Sequence, residues 1–164
     1  MSEIRIGHGY DIHRLKTGGE LFLGGVIVSR EISPIAHSDG DVVLHAIVDA
    51  MLDATGAGDI GELFPNTDPQ WQNTPSSLFV TTVLQRVKSA GYAVANVDVT
   101  ILAEKPRLQT HKQAMRQSIA RNLEISPDRV NIKAGTNEGC DAIGRGEAIA
   151  AHAVILLSKQ NTSC

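Results

Sequence analysis

The chain has 164 residues, 42% hydrophobic and 20% charged, which excludes disordered and fibrous classes and fits one domain, residues 1–164, able to bury its own core. Eighteen acidic against fifteen basic side chains give a formal charge of −3, and only 4% of residues are aromatic, so the basic footprint and stacking platform of a nucleic-acid binder are missing. Cys140 and Cys164 are too few for a disulfide scaffold, no apolar run approaches the roughly 20 residues of a membrane span, and MSEIRIGHGYDIH has no signal-peptide core; a soluble, cytoplasmic protein with no membrane partner is expected.

Ile4 to Leu15 alternates Ile4, Ile6, His8, Tyr10 and Ile12 against Arg5, Gly7, Gly9, Asp11 and His13, the period of a strand. Leu21 to Arg30 is apolar and β-branched around Gly24-Gly25 and predicts a strand broken by a tight bend, pairing with the first as a hairpin. Ser38 to Ala54 carries the strongest helical signal, with Ser38 or Asp39 as N-cap and Gly56 just past its end. Its polar residues Asp41, His45, Asp49 and Asp53 fall in one row spaced by four, and the positions between them from Val42 to Ala54 are apolar. That row faces either water or a site.

Thr55 to Thr74 shows no clear element, and its GDIGELFPNTDP reads as a functional loop. A second helix starts at Pro75 and stops at Gly91. Asn96 to Glu104 alternates as a strand, and Thr110 to Leu123 predicts an amphipathic helix with Met115, Ile119, Ala120 and Leu123 inward. After a turn at Ser126 to Asp128 come a strand, Val130 to Ala134, a glycine-bearing loop, Gly135 to Gly146, and a last apolar strand, Ala148 to Leu157. Strands and helices interleave without repeats, so an α/β domain with a mixed sheet packed against helices is expected.

Four of the six histidines fall in the first 45 residues. Asp11 and His13, two apart on a strand, leave the same face with backbones about 7 Å apart, a span one metal can bridge, and the small Gly7 and Gly9 leave room beside them. His45 is the natural third ligand. Asp plus two His leaves the fourth tetrahedral position of zinc open, as catalytic sites do, and Asp49 could accept from the His45 ring. His8, on the other strand face, has no assigned chemistry, and His111 and His152 read as structural.

AHSDGD (Ala36 to Asp41) offers His37, Ser38 and a helix start to an anion. In the late loop Glu138 suits a hard cation and Arg145 a phosphate or carboxylate, while Cys140 reads as a packing residue. P-loop, dinucleotide-binding and serine-hydrolase motifs are absent.

Together, IGHGYDIH, AHSDGDVVLHA, GDIGELFPNTDP, NVDVTILAEKPR and GRGE, in that order over nearly the whole chain, resemble the 2-C-methyl-D-erythritol 2,4-cyclodiphosphate synthases of the non-mevalonate isoprenoid pathway. The resemblance implies a homotrimer with its sheets around a central axis and its active sites at subunit interfaces. It implies zinc on Asp11, His13 and His45, and a second divalent cation, magnesium or manganese, on Glu138. It places His37, Asp41, Thr136 and Glu138 in catalysis. Ser38, Asp59, Gly61, Asn66 and Arg145 would contact substrate, and Ala103, Pro106, Arg107, Leu108, Ala134 and Thr136 would form a cytidine pocket.

Asn66 stands where that family customarily has aspartate, and Gly135, Asn137 and GCDAI (Gly139 to Ile143) also depart from its usual pattern. On residues alone, two other readings stay open at this stage: a zinc-dependent hydrolase of phosphate esters or anhydrides, and a ligand-binding trimer with a structural metal.

Overall fold

The computed structural model describes residues 3–160, and Cys164 lies outside them. Strands β1 (Ile4–Thr17), β2 (Leu21–Leu23), β3 (Val26–Ser29) and β4 (Ile32–Pro34) lead into helices α1 (Val42–Thr55), α2 (Ile60–Leu63) and α3 (Ser76–Ser89). Strand β5 (Tyr92–Leu102), helix α4 (Lys112–Leu123), strand β6 (Val130–Gly135), helix α5 (Asp141–Gly144) and strand β7 (Ala148–Lys159) complete the chain. No helix among the described residues is long and apolar enough to cross a membrane.

The main sheet has the order β4-β1-β7-β5-β6; β5 and β6 run parallel and the other neighbours antiparallel, the mixed sheet that was expected. The long helices cover one face, where Val97, Val99, Ile101, Ile149, Ala151, Ala153, Ile155 and Leu157 are buried against Ile47, Met51, Leu84 and Ile119. The other face of β1 shows Ile4, Ile6, Tyr10 and Ile12 to the surface, as does Val154 of β7.

That inversion on β1, large side chains out and glycines in, follows from how closely α1 lies on the strand. A Cβ on Gly7 would sit 1.9 Å from the Ala50 carbonyl oxygen, and one on Gly9 1.9 Å from that of Ala46. The room beside Asp11 and His13 is therefore filled by the backbone of α1, which delivers His45.

Four local expectations change. Leu21 to Arg30 folds on itself as the β2–β3 hairpin and does not pair with β1; Gly24 and Gly25 take φ values of 59° and 76°, the left-handed pair that a two-residue hairpin turn needs. The Thr55 to Thr74 stretch holds α2 and a 3-10 turn, Pro69–Trp71. Tyr92, not Asn96, opens β5. The N-cap of α1 is Asp41, because Ser38 and Asp39 turn their oxygens back onto the amides of Gly40 and Asp41 (3.2 and 3.1 Å).

Asp41 is fully buried and serves two elements. It accepts from Val43 and Leu44 at the start of α1 (3.1 Å each) and from Gly24 and Gly25 in the hairpin (2.9 and 2.6 Å). Its expected place in catalysis gives way to a structural one: the fully buried carboxylate lines neither the cavity at His45 nor the groove at Arg107, and it already occupies the Val43 and Leu44 amides at the helix start. Asp41→Ala is expected to lower stability by about 3 kcal/mol or more in urea denaturation, about 1 for the cap and about 1–3 for each buried N–H left without an acceptor. Asp41→Asn, which keeps one acceptor oxygen, recovers part of it.

Candidate metal centre

The row on α1 has four different partners rather than one water-facing role. Asp41 caps the helix; Asp49 accepts from the Ile60 amide at 2.7 Å and holds the start of α2; Asp53 accepts from the His8 amide at 2.9 Å. Asp49 is thus not the acceptor for the His45 ring. His45 alone in the row meets the Asp11–His13 pair: its Nδ1 lies 2.9 Å from Asp11 Oδ2 and 3.2 Å from His13 Nε2, and Asp11 Oδ2 lies 3.1 Å from His13 Nε2.

Three ligand atoms of these residues lie within 4.8 Å of one another, as one metal ion requires. Tetrahedral zinc with bonds of about 2.0–2.1 Å holds its ligand atoms about 3.3 Å apart, so the spacing and the Asp-His-His donor set fit. Burial works against the charge on Asp11, but hydrogen bonds from His13 and His45 and their positive charge hold its carboxyl well below the usual range. Asp11 is therefore ionised, as a metal ligand must be. Burial also opposes protonation of His45; the hydrogen bond to Asp11, and the charges of Asp11, Asp41 and Asp39, outweigh it and raise its pKa.

The ring of His45 is held on its far side by Ser76, which sequence reasoning missed, together with Ser38. Its Nε2 meets Ser76 Oγ at 2.9 Å and Ser38 Oγ at 3.1 Å. Ser76, fully buried, spends its own hydroxyl hydrogen on Asp39, so it accepts from Nε2–H. That bond leaves Nδ1 as the atom turned to Asp11 and His13.

The triad opens into a cavity of about 380 Å³ that also presents His37, Ser38, Gly61 and Asn66, four of the predicted residues. Its apolar wall is Ile60, Phe64, Trp71 and Phe79, none of them foreseen: Phe64 stacks on Phe79 with centroids 4.4 Å apart, and Trp71 meets Phe64 edge-on at 5.1 Å. Asp59 does not line this cavity; it caps α2 by accepting from the Glu62 amide at 2.9 Å.

A second, shallower groove of about 230 Å³ gathers all six residues expected around cytidine, Ala103, Pro106, Arg107, Leu108, Ala134 and Thr136, with Glu104 and Lys112. In the sheet Asp11 pairs with Ala151, Ala151 with Ile101, and Ile101 with Ala134. Asp11 of one cleft and Ala134 of the other thus lie at the same level of the sheet, their backbones three strand spacings or about 14 Å apart.

Glu138 and Arg145 line neither. Glu138 is exposed at φ 52°, its Oε1 3.5 Å from Thr136 Oγ1, and Arg145 is engaged with Glu147 at 3.0 Å. Cys140 is exposed ahead of α5 and packs into no core, and His152 lies on the outer sheet face against Tyr10 and His8 instead of in the interior.

Comparison with known proteins agrees with this architecture. A curated relative, the 2-C-methyl-D-erythritol 2,4-cyclodiphosphate synthase of Methylococcus capsulatus, is 52% identical over 156 residues, covering 95% of this chain and 99% of its own. The solved bifunctional IspDF from Campylobacter jejuni superposes with a TM-score of 0.94 at 38% identity, over 97% of this chain and 43% of that one. IspF of Plasmodium falciparum, in a CDP complex, superposes at 0.86 with 34% identity, over 98% and 99%. The YgbB family matches residues 4–158, and the chain belongs to that family.

Proposed function

We propose that the protein converts 4-diphosphocytidyl-2-C-methyl-D-erythritol 2-phosphate to 2-C-methyl-D-erythritol 2,4-cyclodiphosphate and CMP, acting as a cyclising phosphorus–oxygen lyase in isoprenoid biosynthesis. The observation that carries this reading is the division of labour between two clefts, a metal-ligating triad in one and the six expected nucleotide contacts in the other. It favours a nucleotide-releasing transfer over hydrolysis at a lone metal.

An oxygen of the substrate's 2-phosphate attacks the β-phosphorus, a new P–O bond closes the ring, the bond from that phosphorus to the bridging oxygen breaks, and CMP departs with the oxygen. The substrate supplies the nucleophile, so the protein has to align the two phosphates and neutralise their charge. Bound zinc on Asp11, His13 and His45 would supply positive charge and orient the attacked group.

His37 and Ser38 line the same cavity as the triad and would meet phosphate oxygens there, and the wall of Ile60, Phe64, Trp71 and Phe79 would exclude water that would otherwise compete as nucleophile. Gly61 and Asn66 border the space for the methylerythritol hydroxyls, where the Asn66 side chain can both donate and accept. Glu138, near the nucleotide groove, would take the second divalent cation, magnesium or manganese, while Thr136 and Arg107, which line the groove, would contact the substrate.

The reading includes a cytoplasmic homotrimer. Separation of the Asp11 and Ala134 backbones by about 14 Å within one chain suits a site built from the triad pocket of one copy and the groove of its neighbour. The exposed row of Ile4, Ile6, Tyr10, Ile12 and Val154 is apolar surface of the kind that subunits cover.

Given the cytidyl substrate and magnesium, the purified protein is expected to release CMP in step with a cyclic diphosphate, resolved by phosphorus NMR. Linear phosphate products would instead establish the hydrolase.

A further inference from the structure

On the sheet face turned away from the triad, two imidazoles stand together without any role in the chemistry above. His8 on β1 and His152 on β7 are diagonal neighbours, His8 pairing with Val154 and His152 with Tyr10. His8 Nε2 lies 3.1 Å from His152 Nδ1, with ring centroids 5.4 Å apart. Tyr10 packs against the His152 ring with centroids 4.7 Å apart. Among the described residues neither ring has another hydrogen-bond partner in the protein, and no carboxylate forms an ion pair with either.

This spacing is nearly that of the triad itself, where His13 Nε2 and His45 Nδ1 are 3.2 Å apart, and it approaches the roughly 3.3 Å between two nitrogens on one tetrahedral ion. The same combination of one Nε2 and one Nδ1 is used on both faces of the sheet. The surroundings differ: the outer pair lies in a row of Ile4, Ile6, Tyr10 and Ile12, with no hard oxygen ligand bonded to it. Imidazole alone in apolar surroundings selects zinc, nickel or copper and rejects magnesium and calcium.

We propose that His8 and His152 form a second metal site, for a divalent transition metal held by two imidazoles of one chain with water in the remaining positions. It rests neither on the proposed reaction nor on the proposed trimer. Where copies pack by this face, the ion lies between them.

The test is a count of zinc per chain by plasma emission, after dialysis of the stripped full-length protein against buffered free zinc. Wild type is expected to hold a second equivalent beyond that of the triad. His8→Gln and His152→Gln each lose that second equivalent and keep the first, along with wild-type product formation and wild-type melting, since neither side chain belongs to the core. His45→Ala loses the first and keeps the second. In the unaltered chain, zinc protects His8 and His152 from diethylpyrocarbonate, read by mass spectrometry, whereas magnesium does not. A single equivalent that vanishes with His45→Ala, a second equivalent indifferent to His8→Gln and His152→Gln, or unprotected rings in the presence of zinc each overturn the site.

Discussion

His45→Ala is expected to strip the triad of its metal and to lower the rate of cyclic diphosphate formation by more than about a hundredfold, beyond what the loss of an outer-sphere partner costs. His45 is the ligand on which the site's geometry converges. Its Nδ1 is within 3.2 Å of both other ligands, and its Nε2 is the anchor to Ser76 and Ser38. Removal leaves only two ligands, Asp11 and His13, and takes away the one ring that is anchored to Ser76 and Ser38.

Metal content and turnover should fall together, while the far-ultraviolet circular dichroism stays that of the wild type, because alanine suits the middle of α1. Full zinc occupancy at the triad in this variant would rule out the ligand assignment. Ser76→Ala separates positioning from ligation: it leaves all three ligands in place but frees the ring, so metal affinity is expected to drop about 10–100-fold and to recover partly in Ser76→Thr.

A loss of stability as large as that of Asp41→Ala is expected from a single methyl group. In Gly9→Ala the added carbon would stand 1.9 Å from the Ala46 carbonyl oxygen and 2.7 Å from the Ala50 amide nitrogen, both backbone atoms inside a helix that cannot yield by changing a rotamer. Either α1 lifts from β1 as a body or the strand bends, and both open the packing of a helix whose apolar residues from Val42 to Ala54 are buried.

A loss of about 3 kcal/mol or more is expected in chemical denaturation, above the usual range for overpacking because the clash is with main chain. Gly135→Ala, whose Cβ meets nothing within 4 Å, is the control and should change stability little. Because Gly9 lies two residues from Asp11, folded Gly9→Ala protein should also bind zinc more weakly, as His45 moves away with its helix. Unchanged stability would show that the helix does not rest on the strand as described.

Both predictions concern features the sequence disclosed unevenly. The long helices and strands were legible because hydrophobic period and terminal glycines act locally: Gly56 and Gly91 end α1 and α3 in left-handed conformations. The triad was legible because Asp, His and His are chemically distinctive and strand parity puts two of them on one face. The cap of α1 was not. Ser38, Asp39 and Asp41 are all good cap residues, and the choice falls to Asp41 through the Gly24 and Gly25 amides, 17 and 16 positions away in the chain.

The aromatic wall was hidden for a related reason. Phe64 and Trp71 sit in short turns with no period, and they meet Phe79 of α3 only once the chain has folded back. Ser76 looked like part of an ordinary helix start, and its hold on His45 depends on where Asp39 spends its oxygens.

The row Asp41, His45, Asp49 and Asp53 makes α1 a spindle with four spokes, one every turn, each running to a different stretch of chain: the early hairpin, the metal, α2 and the first strand. Only one of the four depends on an ion. An ion held here would therefore enter a frame already braced by carboxylates and amides, unlike the small domains that need zinc to fold at all.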